Sequence, residues 1–129
     1  MLNLNLIIMA EHNELGAEGE KIAVGFLKEK GFEILATNWR FGADEIDIIA
    51  KNNGFLVIVE VKTRSTNAFG EPEIAVTRQK QKFLIRAAQQ YIQQKNINEE
   101  CRFDIISIII KNGKSTIHHI EDAFYPSLS

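Results

Sequence analysis

The sequence predicts an α/β protein: one layered domain in which a mixed sheet is flanked by helices. Three observations lead there. Residues 44–50 and 55–62 are two runs rich in Ile and Val separated by a segment ending in Asn53-Gly54, which reads as a β-hairpin because Asn and Gly tolerate the positive φ of a type I′ turn. Residues 14–30 and 77–94 carry the 3.6-residue periodicity of amphipathic helices on either side of that hairpin. Residues 102–110 are apolar on both faces, as a central parallel strand is, and the second helix supplies the crossover to it. The order is therefore α, β, β, β, α, β, with a last short strand over residues 115–120.

At 129 residues the chain is long enough for one real core, and residues 11–129 read as a single domain. A net charge of −2 argues against gripping nucleic acid by bulk basicity, so any such binding must use a local patch. Cys101 is the only cysteine, which excludes an intramolecular disulfide and a cysteine zinc cluster and suits a reducing, cytoplasmic setting. Residues 1–9 are apolar but far short of the ~20 residues of a membrane span, and they lack the basic start and small-residue cleavage site of a signal peptide. Polar residues resume at once with Ala10-Glu11-His12-Asn13, which leaves both Met1 and Met9 open as the initiator. Residues 1–10 read as an extension that is either disordered or an added edge strand.

In the first helix Leu15, Ile22, Ala23, Phe26 and Leu27 fall on one arc with Gly16 and Gly19, and Gly31 stops it. Small residues on the packing arc predict close approach to the sheet, since each helical glycine costs about 1 kcal/mol relative to alanine. Glu20 borders the arc, where it either reaches water or leans over the hairpin. Residues 32–38 read as the first strand and residues 39–42 as a turn. There Trp39 and Phe41 either cap the core or stack on an unpaired base.

The hairpin carries the chemistry. With Asn53-Gly54 as the turn, Asn52 pairs with Phe55, and counting back sets Asp47 opposite Glu60 and Glu45 opposite Lys62. Strict alternation puts Glu45, Asp47 and Ile49 on one face. Directly opposed Cβ atoms lie ~5 Å apart, where like charges repel by on the order of 3 kcal/mol at an effective dielectric near 20. A divalent cation between the carboxylates would offset that, and Lys62 would bring an ammonium to the edge of the same site. This is a layout for metal-dependent phosphodiester hydrolysis. The plainer reading is a solvated sheet face with an ordinary Glu45–Lys62 pair; apolar flanks Ile46, Ile48, Val59 and Val61 weigh against it.

Residues 63–72 read as a loop bordering the site, which makes Arg64 a candidate phosphate contact. Thr77 is the expected N-cap of the second helix, whose apolar stripe runs through Phe83, Leu84, Ala87, Ala88 and Tyr91. Lys80 lies within that stripe, so it either snorkels outward or waits for an anion. Arg78, Lys80, Lys82 and Arg86 with Lys62 and Arg64 would form a local basic surface, although Lys82 and Arg86 also fit a solvated face. His118 and His119 are adjacent and on a strand point apart, so they cannot share a metal; they read as structural or solvated.

Asp47 followed by Glu60-Val61-Lys62 within this element order resembles the PD-(D/E)XK nucleases, the restriction-endonuclease-like superfamily that includes Holliday junction resolvases. Gly42-Ala43-Asp44-Glu45-Ile46-Asp47 with Val59-Glu60-Val61-Lys62-Thr63-Arg64 and Arg102-Phe103-Asp104 is similar to the YraN-like endonuclease family within it. The likeness runs from about His12 to Phe124. It implies a restriction-endonuclease-like core and an endonuclease acting on DNA, branched or structured forms included. Asp47, Glu60 and the Val61 carbonyl would hold Mg²⁺ or Mn²⁺, with Glu20 and Lys62 as catalytic partners and Lys80 as the lysine that the superfamily often carries on the following helix. Ile46 stands where the pattern has proline. Resolvases of the superfamily act on two strands as dimers, so the resemblance also implies a homodimer. Two other readings stay open: a non-catalytic nucleic-acid-binding module using Arg64, Arg78 and Lys80, and a structural or protein-partner domain.

Overall fold

A computed structural model describes residues 3–65 and 76–126, apart from the side chains of residues 7–12. The elements are α1 (Leu4–Glu29), β1 (Glu33–Phe41), β2 (Asp44–Asn52), β3 (Phe55–Arg64), α2 (Arg78–Lys95), β4 (Glu100–Lys111) and β5 (Lys114–Phe124). The strands form one sheet in the order β1-β2-β3-β4-β5, with β3 and β4 parallel and every other neighbour antiparallel. This is the predicted mixed α/β architecture, and it is compatible with a restriction-endonuclease-like core.

Each helix covers one face. On the α1 side Ala23 and Leu27 pack on Ile48, Val57, Val59 and Ile106; on the α2 side Leu84, Ala87 and Tyr91 pack on Ile46, Ile49, Ile58 and Ile105. Burying a Leu or Ile side chain contributes about 1.5–3 kcal/mol, so the doubly covered central strands are the main source of stability. Thr77 caps α2 as expected, its hydroxyl accepting the Lys80 N–H at 3.1 Å, and Asn96 ends the helix in the left-handed region at φ 51°. Trp39 and Phe41, expected in a turn, lie in β1 instead, with Trp39 edge-on to Tyr91 and Phe41 against Phe83. They cap the α2-side core.

Two other boundaries differ from expectation. Helix α1 begins at Leu4, ten residues before the periodic stretch, so the segment read as a disordered extension or edge strand is helical from that point. Asn3 explains the start: its side chain accepts the Leu6 N–H at 2.9 Å, and the residues that follow contain neither Gly nor Pro until Gly16. Leu4 and Leu6 are exposed, which is why no one-sided apolar pattern marked this turn. Strand β5 is long rather than short, and it bends at Asp122, whose φ is +56°.

That bend is held from the next strand. The buried Asp104 carboxylate on β4 accepts the Asp122 N–H at 3.0 Å, both Arg102 Nε and a guanidinium nitrogen at 2.9 Å, and His119 Nε2 at 2.8 Å. His119 Nδ1 takes a hydrogen bond from the Lys30 ammonium at 2.8 Å, which leaves the ring proton on Nε2. The cluster fastens β4, β5 and the end of α1 together. His119 is thus structural, while His118 is exposed. Cys101 is half-buried, and burial pushes its thiol up to about 12.

Candidate active site

The hairpin keeps the predicted register from Asn52↔Phe55 to Ile48↔Val59, and there the ladder ends. One residue further on, Asp47 Oδ2 accepts the Val61 N–H at 2.8 Å, so a carboxylate takes the place of a backbone carbonyl. On the other side of β2, Thr37↔Ile48 and Trp39↔Ile46 flank Asn38, whose φ of +50° breaks the regular pleat. The facing of β2 slips with it: Ile46 joins Ile49 on the α2 side while Ile48 and Ala50 face α1. Strict alternation through Glu45, Asp47 and Ile49 therefore fails. The Glu45–Lys62 cross-strand pair fails too, since β2 and β3 have parted; Glu45 pairs with Arg40 of β1 instead.

Asp47 sits at this opened seam and reaches acids from both layers. Burial pushes its carboxyl up to about 8, and the hydrogen bond and charge of Glu60 add to the shift; the Val61 N–H and the Lys80 ammonium oppose it without cancelling it. Two carboxylates share a hydrogen bond only if one is protonated, so the raised Asp47 carboxyl favours a proton shared by the pair. Glu20, held by Asn38 Nδ2 at 2.9 Å, approaches from α1. Its carboxyl is raised chiefly by burial and further by Asp47 and Glu45, with the Asn38 hydrogen bond acting the other way.

Gly19 makes that approach feasible. A Cβ there would lie 2.8 Å from Thr63 Cβ, so only glycine lets α1 rest on the end of β3 and set Glu20 beside Asp47. Gly16, predicted for the same purpose, meets nothing within 4 Å and instead borders a cleft of about 400 Å³. That cleft brings together Glu20, Asp47, Val61, Lys62 and Arg64. Glu60 is buried behind it, 3.6 Å from Lys80 Nζ.

Lys80 leads to a second cleft of about 530 Å³ along α2, lined also by Asp44, Thr77, Gln79, Lys82, Phe83 and Arg86. Its ammonium lies 2.9 Å from Asp44 Oδ2 and 5.0 Å over the Phe83 ring. Of the basic residues singled out from the sequence, Arg64 and Lys80 thus line clefts and Arg78 lines neither. Lys62, Lys82 and Arg86 line clefts as well, and since Arg78 stands at the same four-residue spacing from Lys82, spacing alone does not separate the residues that line the cleft from the one that does not. The loop expected over residues 63–72 starts later than predicted, since Thr63 and Arg64 continue β3, and residues 66–72 of it lie outside the described residues.

The donor set is all oxygen, which suits a hard cation. Among the described residues no group of three or more His, Cys, Asp or Glu converges on one point. Asp47, Glu60 and the Val61 carbonyl are the oxygens here that could hold Mg²⁺, which takes one or two carboxylates and completes its shell with water and phosphate oxygens. No helix among the described residues is long and apolar enough to cross a membrane.

Comparison with known proteins places this geometry in a family context. Residues 19–108 match the family model described as Uncharacterised protein family UPF0102, a span that holds Glu20, Asp47, Glu60, Lys62, Lys80 and Asp104. A UPF0102 protein of Bacteroides thetaiotaomicron is 52% identical over 120 residues, covering 93% of this chain and 99% of the relative. One from Flavobacterium psychrophilum is 49% identical over 117 residues, 91% of this chain and 98% of its own. A third, from Bacteroides fragilis, is 51% identical over 120 residues, 93% and 99% of the two chains.

Proposed function

The chain belongs to the uncharacterised protein family UPF0102, and from that premise we propose that it is a metal-dependent endonuclease of the PD-(D/E)XK type, hydrolysing phosphodiester bonds in DNA, with branched and structured forms among its substrates. The observation that carries this reading is the pairing of half-buried Asp47 with buried Glu60 at the point where β2 and β3 part, with Lys62 in the cleft beside it. Such a pair is costly to folding and has no structural return of its own, which is how functional carboxylates are recognised.

In this reading Asp47 and Glu60, with the Val61 carbonyl, would hold Mg²⁺ or Mn²⁺, whose chemistry is to polarise the scissile phosphate and acidify a water. Lys62 directs its ammonium at the charge that develops on the phosphate oxygens. Glu20, kept in place by Asn38, orients the water from the α1 side. Arg64 at the cleft rim receives a flanking phosphate. Incubation with branched, single-stranded and duplex DNA plus Mn²⁺ tests the proposal. Cleavage of at least one form is expected, falling at least about 100-fold in Asp47→Ala or Glu60→Ala; no cleavage of any form, or cleavage undiminished in Asp47→Ala, retires it.

One observation favours a second reading, a nucleic-acid-binding module without catalysis: the basic cleft on α2 is separate from the carboxylate cleft. That module would bind nucleic acid equally with and without metal.

A further inference from the structure

We infer that the α2 cleft carries the phosphates of one nucleic-acid strand continuing away from the carboxylate seam, and that Asp44 is a built-in competitor holding Lys80 until a phosphate displaces it. The inference rests on the nucleic-acid part of the reading above and not on catalysis.

The cleft is lined by three cations, Lys80, Lys82 and Arg86, against one anion, Asp44, on a chain whose net charge is −2. Lys82 and Arg86 are four residues apart on one helix, a spacing of about 6 Å along its axis. Like charges so placed repel, and among the described residues neither forms an ion pair. Their repulsion is left for a ligand to relieve. A row of fixed cations matches a row of repeating negative charges better than it matches a single small anion, and a nucleic-acid strand is such a row.

Lys80 joins this row to the site. Its ammonium is 2.9 Å from Asp44 and 3.6 Å from Glu60, so it lies between the two clefts. The Asp44 side chain is half exposed, which makes it the partner that an arriving phosphate can replace with little rearrangement. Glu60 is buried and stays. A strand with one phosphate at Lys62 would then meet Lys80 next, and Lys82 and Arg86 beyond it.

The test is binding of a labelled single-stranded oligonucleotide, measured in EDTA across a salt series. Lys82→Gln and Arg86→Gln should each weaken binding severalfold and reduce the slope of log K against log salt by about 0.7, the contribution of one phosphate contact on a single strand. Lys95→Gln, at the far end of α2, should leave both quantities unchanged. Asp44→Asn should tighten binding and steepen the slope, and that gain should vanish in a Lys80→Gln background. Slopes in Lys82→Gln and Arg86→Gln equal to that of the parent protein overturn the strand path, as does parent binding that ignores salt. An Asp44→Asn protein that binds no tighter overturns the competitor role. Equal, variant-sensitive binding of polyglutamate would assign the cleft to an acidic polypeptide and overturn the nucleic-acid inference. Mn²⁺-dependent cleavage of the same variants separates the two proposals: cleavage with unaltered salt slopes sinks only the path, and altered slopes without cleavage sink only the nuclease.

Discussion

Asp47 is half-buried and Asp104 buried, and each is a strand residue that accepts a backbone N–H from a neighbouring strand that departs from regular pairing, Val61 in one case and Asp122 in the other. Their company differs. Burial alone would raise Asp104, but the hydrogen bonds from His119, Arg102 and the Asp122 N–H outweigh it and hold the carboxyl below its ordinary range. Asp47 has Glu60 and Glu20 for neighbours, and its carboxyl is driven up to about 8. One backbone motif therefore serves two purposes: at Asp104 the Arg102 cation and the His119 N–H turn burial into cohesion, and at Asp47 the neighbouring acids leave a demand for positive charge. The lesson is that hydrogen bonding to the main chain does not identify a structural aspartate; the sign of its side-chain neighbours does.

The largest way to test this contrast is to remove the cohesive member. Asp104→Ala leaves the Arg102 guanidinium buried without its partner, and breaking a buried pair in this way costs about 3–5 kcal/mol. Urea unfolding should show that loss, and a change under about 1 kcal/mol would remove the basis for calling this centre structural.

Removing the other member should act in the opposite direction. Asp47→Asn keeps a side chain that can accept the Val61 N–H and removes the buried acid, so at pH 8 we expect stabilisation of about 1–3 kcal/mol with loss of activity. The pH dependence follows from the same shift. Because the folded pKa of Asp47 is raised from 3.8 to about 8, the native state binds the extra proton in that window, and stability falls as pH climbs through it. Asp104 is depressed, so its contribution is complete above the unfolded value of 3.8 and is lost as pH falls through the folded one. Thermal melts from pH 4 to 8 should decline in the parent protein and flatten in Asp47→Asn; an equal decline in both would break the comparison.

The smallest effect concerns how the acids are brought together. Gly19→Ala gains about 1 kcal/mol of helix propensity but forces α1 off Thr63 at an overpacking cost of about 1–3 kcal/mol, for a net loss of roughly 1 kcal/mol. Cleavage should fall further than stability, since Glu20 moves away from Asp47. Equal stability and equal cleavage would show that the close seat of the helix is dispensable.

Much of this was legible from local chemistry. Asn53-Gly54 set the hairpin register through five pairs because both residues take positive φ, 50° and 83°. Thr77 placed the start of α2 to the residue. The register does not carry on to the acids: the ladder stops at Ile48↔Val59, and Asp47 meets Glu60 across the opened seam instead of as a ladder pair. What could not be read was non-local. The slip of facing at Asp47 depends on Asn38 in a different strand, and the bend at Asp122 depends on a carboxylate from β4. Nothing within residues 44–52 or 114–124 encodes either partner. The early start of α1 escaped for another reason: with Leu4 and Leu6 exposed, that turn rests on a cap and on propensity, which leave no periodic trace. Arg78 was singled out over Lys82 and Arg86 because composition locates a basic helix without saying which side meets the cleft.

Asn38 and Asp122 lie on β1 and β5, the two outermost strands of the sheet. Each puts a left-handed residue into a free margin that would otherwise offer an unbroken row of donors and acceptors to a neighbouring molecule. The kinks that let the two aspartates capture stray amides thus also interrupt both borders among the described residues, so continuous strand addition along either one would meet a break at Asn38 or at Asp122.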